Sequence, residues 1–195
     1  MKPIFIENFL PTQLLNFLNS FCIIKYSNSD NYKVDPQASS LIGVHGCPVM
    51  ETLMDLSTPV IEQNLNKKLW PTYSYFRIYD KGSDLRIHTD RESCEYTVAL
   101  CLGCDPVDQP YEIFIGEKDD SSDYKYYEGD AFVKCRIDHK FSMKPNDALI
   151  FKGMEKIHWR ETCKHDHFIT VFLHYVDQEG KYKEFKYDKR ESLGQ

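Results

Sequence analysis

The chain has 195 residues, 42% of them hydrophobic and 14% aromatic, with a net charge of −6. That length and apolar content suit one globular domain with a substantial core and exclude a disordered chain. The acidic balance argues against a nucleic-acid binder, which needs a basic footprint, and no apolar run nears the ~18 residues of a membrane span.

Met1 to Asn8 has neither a long apolar core nor a small-residue cleavage site, so it does not read as a signal peptide. A first helix opens at Thr12, a candidate N-cap, with apolar residues at 14, 15, 17, 18 and 21. Residues 27–40 are polar and turn-rich and read as a loop. Residues 48–69 suit a second helix, with Met50, Leu53, Met54, Leu56, Val60, Ile61 and Leu65 as its buried stripe and Pro59 as a kink or break. From Tyr73 the texture changes to short strands at 73–79, 85–90, 96–102, 111–116, 131–136, 148–151 and 168–176, with turns at 80–84 and 145–147. The acidic, tyrosine-rich stretch 116–129 reads as a mobile insertion loop that closes over a substrate.

Helices first and strands afterwards make an α+β, mainly β chain, a sandwich or barrel with helices on its outside. One domain divides into helical support (1–72), a β-barrel core (73–176) and a C-terminal tail (177–195). The seven cysteines are odd in number and irregularly spaced, which indicates reduced thiols and a cytoplasmic protein. Cys101-x-x-Cys104 has no second close pair, so buried thiols are expected there and not zinc.

Two motifs carry chemistry. Residues two apart on a strand share a face, so His88 and Asp90 aim an imidazole and a carboxylate into one cavity. His158, after the strand 148–151 and a turn at Gly153, completes the set if it comes from a facing strand. Two histidines and a carboxylate with open positions opposite suit a non-haem Fe(II) that also binds a cosubstrate and dioxygen. Arg91 reads as a solvated turn residue, with orientation of Asp90 or contact with an anionic substrate as its other role. Among the remaining histidines, His174 shares the face of Thr170 and Phe172 and reads as core or rim packing, while His45 and His139 have no supporting spacing.

The run Tyr79-Asp80-Lys81-Gly82-x-x-Leu85-x-x-His88-Thr89-Asp90 resembles the strand–turn–strand of the 2-oxoglutarate- and Fe(II)-dependent dioxygenases, particularly their prolyl-4-hydroxylase-like branch. Pro145-x-Asp147-Ala148-Leu149-Ile150-Phe151-x-Gly153 followed by His158 resembles that family's second signature, with Asn146 in place of a glycine. The resemblance covers residues 73–176. It implies a double-stranded β-helix (a jelly-roll, cupin-like barrel) with N-terminal supporting helices. It implies Fe(II) held by His88, Asp90 and His158, 2-oxoglutarate as cosubstrate and ascorbate as a possible accessory. The implied reaction hydroxylates an unactivated C–H of a prolyl, other amino-acid, peptide or small-molecule substrate, releasing succinate and CO2.

The family's basic partner for the far carboxylate of 2-oxoglutarate falls nine or ten positions after the distal histidine, where this chain has His167 and Phe168. Arg160, Tyr79 and Thr170 form the preferred alternative set, with His167 as a substitute base. The departure keeps open a non-catalytic cupin-like barrel that binds a metal or small ligand. A third reading is a zinc hydrolase with Glu92 or Glu161 as its base.

Overall fold

The structure, a computed structural model, describes residues 1–27, 38, 42–122, 125–128 and 131–195. In chain order these form β1 (Ile4–Ile6), α1 (Thr12–Ser27), β2 (Ile42–His45), α2 (Pro48–Leu65), β3 (Leu69–Asp80) and β4 (Leu85–His88). A 3-10 turn (Glu92–Cys94) leads to β5 (Tyr96–Asp105), β6 (Tyr111–Lys118), β7 (Lys125–Glu128), β8 (Ala131–Met143), β9 (Ala148–Phe151), β10 (Ile157–Arg160) and β11 (His167–Asp177). Helical turns at Lys183–Lys189 follow.

The strands pair antiparallel in two sheets, ordered β1-β9-β5-β11-β3-β2 and β4-β10-β6-β8-β7. Strands β5, β9 and β11 are near-continuous apolar runs because both of their faces are covered. On the outer face of the larger sheet, Phe76, Ile78, Val98, Leu100, Ile169 and Val171 pack with Leu18 and Cys22 of α1 and with Met50, Leu53, Met54 and Ile61 of α2. On the inner face, Tyr79, Ala99, Cys101, Phe151, Phe168 and Phe172 meet Tyr111, Ile113 and Ile115 of the smaller sheet. This is the mainly β barrel with outer helices that the sequence suggests. Among the described residues, no helix is long and apolar enough to cross a membrane.

Several details depart from the sequence reading. The first third also contains β1 and β2, which extend the larger sheet at its two edges. Strands of three and four residues have no independent stability and form only against a distant partner, β9 for β1 and β3 for β2. In α2 the buried stripe is Met50, Leu53, Met54, Ser57 and Ile61, together with Glu51, whereas Leu56 and Val60 face outward. The helix continues through Pro59 without a break, with Met54 and Ile61 packed on either side of it. The stretch expected to be an insertion loop contains strand on both sides of a turn: residues 116–118 belong to β6 and 125–128 form β7, which pairs with β8, while 123, 124 and 129 lie outside the described residues. A polar edge strand needs no apolar face, so its composition resembles a loop's, while its tyrosines favour the pleat. The loop expected at 27–40 lies largely outside the described residues.

Asn146 sits at φ +75°, the left-handed position that a glycine would fill. Its side chain earns the place. The amide oxygen accepts from Leu10 N at 2.8 Å and the amide nitrogen donates to Leu10 O at 2.9 Å, which bolts the start of α1 to the β8–β9 turn.

The C-terminal segment is an integral strap and not a free tail. Arg190 donates to both oxygens of the buried Glu51 at 2.6 and 3.3 Å and to Thr72 O at 3.0 Å. Arg91 makes a bidentate pair with Asp188 at 2.8 and 2.7 Å. Around these two anchors Tyr187, Asp188 and Lys189 all take left-handed φ values of 51°, 56° and 62°. Each costs about 1–2 kcal/mol, so the two ion pairs must hold the strap down. Arg190→Ala leaves Glu51 buried without its partner and is expected to lower the unfolding free energy by about 3 kcal/mol, read by urea denaturation. Burial opposes charge on Asp188, but the Arg91 guanidinium outweighs it and holds the carboxyl below its usual range. A depressed carboxyl stabilises the fold above the unfolded-chain value of about 4 and loses that contribution as pH falls through it. Asp188→Asn is therefore expected to be less stable than the wild type at neutral pH, with the difference shrinking below about pH 4.

Candidate metal centre

Strands β4 and β10 pair antiparallel, and their register sets His88 directly opposite His158. The two ring centroids lie 4.2 Å apart. Strand β4 ends at His88, so Asp90 lies beyond it, and alternation along a strand is not what orients it. Its backbone N donates to Gly153 O at 2.9 Å and its Oδ2 accepts from Thr97 Oγ1 at 2.8 Å. These bonds turn Oδ1 toward both imidazoles, 3.5 Å from His88 Nε2 and 3.6 Å from His158 Nε2.

The hydrogen bonds fix the tautomers. His88 Nδ1 faces Arg86 O at 2.7 Å and His158 Nδ1 faces Lys156 O at 3.0 Å. A carbonyl only accepts, so each Nδ1 carries a proton and donates it. Burial, with His88 close by, pushes the His158 imidazole down to about 4, so its Nε2 carries no proton at neutral pH. Burial alone would favour a neutral Asp90, but the adjacent imidazoles, His158 foremost, hold it well below the usual carboxylate range. Lone pairs of a carboxylate and of imidazole nitrogen thus converge in a largely buried space, an arrangement that a cation stabilises. A first-row divalent ion with ligands near 2.1 Å at right angles sets neighbouring donor atoms about 3 Å apart, close to the distances here. The donor set fits the metal that the sequence pattern suggests.

Between the two sheets, Arg160 of β10 and Tyr79 and Thr170 of the larger sheet are all fully buried. Arg160 Nη1 donates to Tyr111 O at 2.9 Å and Glu112 O at 3.1 Å. Its guanidinium lies 4.8 Å from the Tyr111 ring, 5.1 Å from Phe168 and 5.8 Å from Tyr79. Arg160 Nε and Nη2 and Thr170 Oγ1 are buried with no hydrogen-bond partner among the described residues. Buried donors without a partner are costly, and a carboxylate would satisfy those of the guanidinium. His167 takes a different place. It opens β11 opposite Asp80, with the outward parity of Ile169 and Val171, so alternation directs it away from the face that carries Thr170.

Other expectations resolve differently. Arg91 is half-exposed, as expected of a turn residue, but it also pairs with Asp188 and its guanidinium lies 4.4 Å from the Tyr73 ring. Cys101 and Cys104 are buried free thiols. Glu92 and Glu161, the alternative general bases, are exposed. His45 stacks on Tyr73 at 4.5 Å. Sequence reasoning missed Thr97 and Tyr111, and it gave Gly153 the wrong reason. A Cβ on Gly153 would meet Asp90 Oδ2 at 2.0 Å and Thr97 Oγ1 at 2.4 Å, so the glycine is needed for close approach and not for its turn. An inward threonine between apolar neighbours in β5 was the available signal for Thr97, but its partner depended on the fold.

No protein-family model matches the chain, and no curated protein matches it in sequence. Solved structures do. The non-haem 2-oxoglutarate-dependent epimerase SnoN from nogalamycin biosynthesis aligns over 90% of this chain and 78% of its own, with a TM-score of 0.65 at 10% identity. A prolyl-4-hydroxylase of Pseudomonas putida aligns over 88% and 91%, with a TM-score of 0.58 at 16% identity. The collagen prolyl hydroxylase of Paramecium bursaria Chlorella virus-1 aligns over 90% and 96%, with a TM-score of 0.59 at 12% identity. The fold of this chain is the double-stranded β-helix of the 2-oxoglutarate- and Fe(II)-dependent oxygenases.

Proposed function

We propose that the protein is an Fe(II)- and 2-oxoglutarate-dependent oxygenase that hydroxylates an unactivated C–H of a small molecule, amino acid or peptide. The observation that carries this reading is the convergence of His88 Nε2, His158 Nε2 and Asp90 Oδ1 within a barrel that also holds Arg160, whose Nε and Nη2 have no partner among the described residues. His88, Asp90 and His158 hold the metal by one face. Arg160 takes the far carboxylate of the cosubstrate, with Thr170 Oγ1 as a further donor and Tyr79 as a wall. The rings of Tyr111, Phe168 and Tyr79 around the guanidinium keep water from it, so its charge acts at low dielectric. When bound, iron and 2-oxoglutarate supply oxygen activation, with release of succinate and CO2.

Arg160 replaces the missing base after the distal histidine and removes the motive for a non-catalytic barrel. It reaches the pocket from β10, the strand that carries His158, and not from β11. The matched proteins include prolyl hydroxylases and an epimerase of nogalamycin biosynthesis, so both peptide and small-molecule substrates fit the fold. The whole chain acts as one domain, and its seven buried free thiols fit a reducing compartment such as the cytoplasm.

Anaerobic titration of the metal-free protein with Fe(II) and 2-oxoglutarate is expected to give a weak visible charge-transfer band, and air is expected to give succinate. His88→Ala and Asp90→Ala should abolish both; a wild type that gives neither sinks the reading. Arg160→Met keeps the bulk of the side chain and removes its charge. It is expected to weaken 2-oxoglutarate binding by about 100-fold or more while leaving Fe(II) affinity within a few-fold, measured by calorimetry.

A further inference from the structure

The carboxylate of Asp90 has two oxygens, and only Oδ1 faces the imidazoles. We propose that Thr97 and His174 are positioning residues that hold Oδ2 away from the metal, so that Asp90 binds through one oxygen only. The inference rests on the metal reading above and assigns it two further residues.

Thr97 Oγ1 lies 2.8 Å from Asp90 Oδ2 and 3.1 Å from His174 Nδ1. A hydroxyl has one hydrogen, and an ionised carboxylate only accepts. The Thr97 hydrogen therefore goes to Asp90, and His174 Nδ1–H must donate to Thr97 Oγ1. The result is a one-directional chain, imidazole to hydroxyl to carboxylate, with each bond polarising the next. Thr97 and His174 are buried, at 1% and 4% exposure, so water does not compete with the chain. The His174 ring is held by Tyr73 at 4.6 Å and by Phe172, stacked at 6.4 Å, which aims its Nδ1. Gly153 leaves the room in which Oδ2 and Oγ1 meet. Register makes the pairing possible, because Thr97 on β5 lies directly opposite His174 on β11.

A carboxylate binds metals through one oxygen or two. With Oδ2 tied to Thr97, Asp90 would offer a bound ion a single oxygen, leaving room beside it for the cosubstrate and oxygen. Without that tie, the carboxylate is free to rotate and chelate, closing a position that the chemistry needs.

The test uses Co(II) as an oxygen-stable spectroscopic probe, added to the full-length metal-free protein. Thr97→Val is nearly isosteric and removes only the hydroxyl. It is expected to lower Co(II) affinity about 10- to 100-fold and to alter the visible d–d spectrum, while Thr97→Ser restores both. His174→Phe keeps the stacked ring and should shift affinity and spectrum in the same direction by a smaller factor. The double variant Thr97→Val/His174→Phe should be no weaker than Thr97→Val alone, because His174 acts through Thr97. Unchanged Co(II) affinity and spectrum in Thr97→Val overturn the proposal; if that variant does not fold, the same result in His174→Phe overturns it. A wild type that binds no Co(II) overturns instead the metal reading on which the proposal stands.

Discussion

Asp90 is the constraint around which the site is built. Its carboxylate is an anion with little access to water, and such a group persists only where its charge is met from several sides. Here the two oxygens have separate duties. Oδ1 faces two imidazole nitrogens whose protons are committed elsewhere, and Oδ2 takes the Thr97 hydrogen. The backbone of Asp90 is tied to Gly153, whose missing side chain is what lets the carboxylate sit against the β9–β10 connection. Each tie comes from a different part of the chain, so the donor set exists only in the closed barrel.

The two sheets divide the work. The smaller sheet sets both histidines side by side on neighbouring strands, with each Nδ1 locked to the carbonyl two residues upstream. The larger sheet supplies the rigid wall: Tyr79 and Thr170 on paired strands, Thr97 and His174 across another pair. Arg160 spans the two sheets. It belongs to the strand of His158, two residues on and so on the same side, yet it packs against Tyr79 and Phe168 of the opposite sheet. One short strand thereby presents both an imidazole of the candidate metal centre and a buried cation. The C-terminal strap adds a restraint from outside, because Asp188 holds Arg91, the residue directly after Asp90. Left-handed backbone at three successive positions shows that this contact is made against local preference.

Patterned stretches of the sequence were legible for direct physical reasons. The 96–102 and 168–176 runs are apolar because both faces of those strands are buried, and the helical stripe of α2 reads correctly wherever it meets the sheet. It fails at Leu56 and Val60, where helical periodicity continues but no sheet lies beneath. The tyrosine-rich stretch 116–129 was misread in part, because a short edge strand carries too few residues to show apolar alternation. The short strands β1 and β2 were invisible because three or four residues carry no periodic signal and depend on a distant partner.

The sequence by itself determined the donors. His88, Asp90 and His158 stand in recognisable local settings, since a turn and a strand impose their spacing on the residues around them. The tertiary structure alone decided which atoms of those residues face one another. It turned Asp90 past the end of its strand, buried the Arg160 guanidinium between the sheets, directed His167 outward and paired Thr97 with His174. These outcomes depend on register and close packing between segments distant in the chain, and neither leaves a periodic trace in the order of residues.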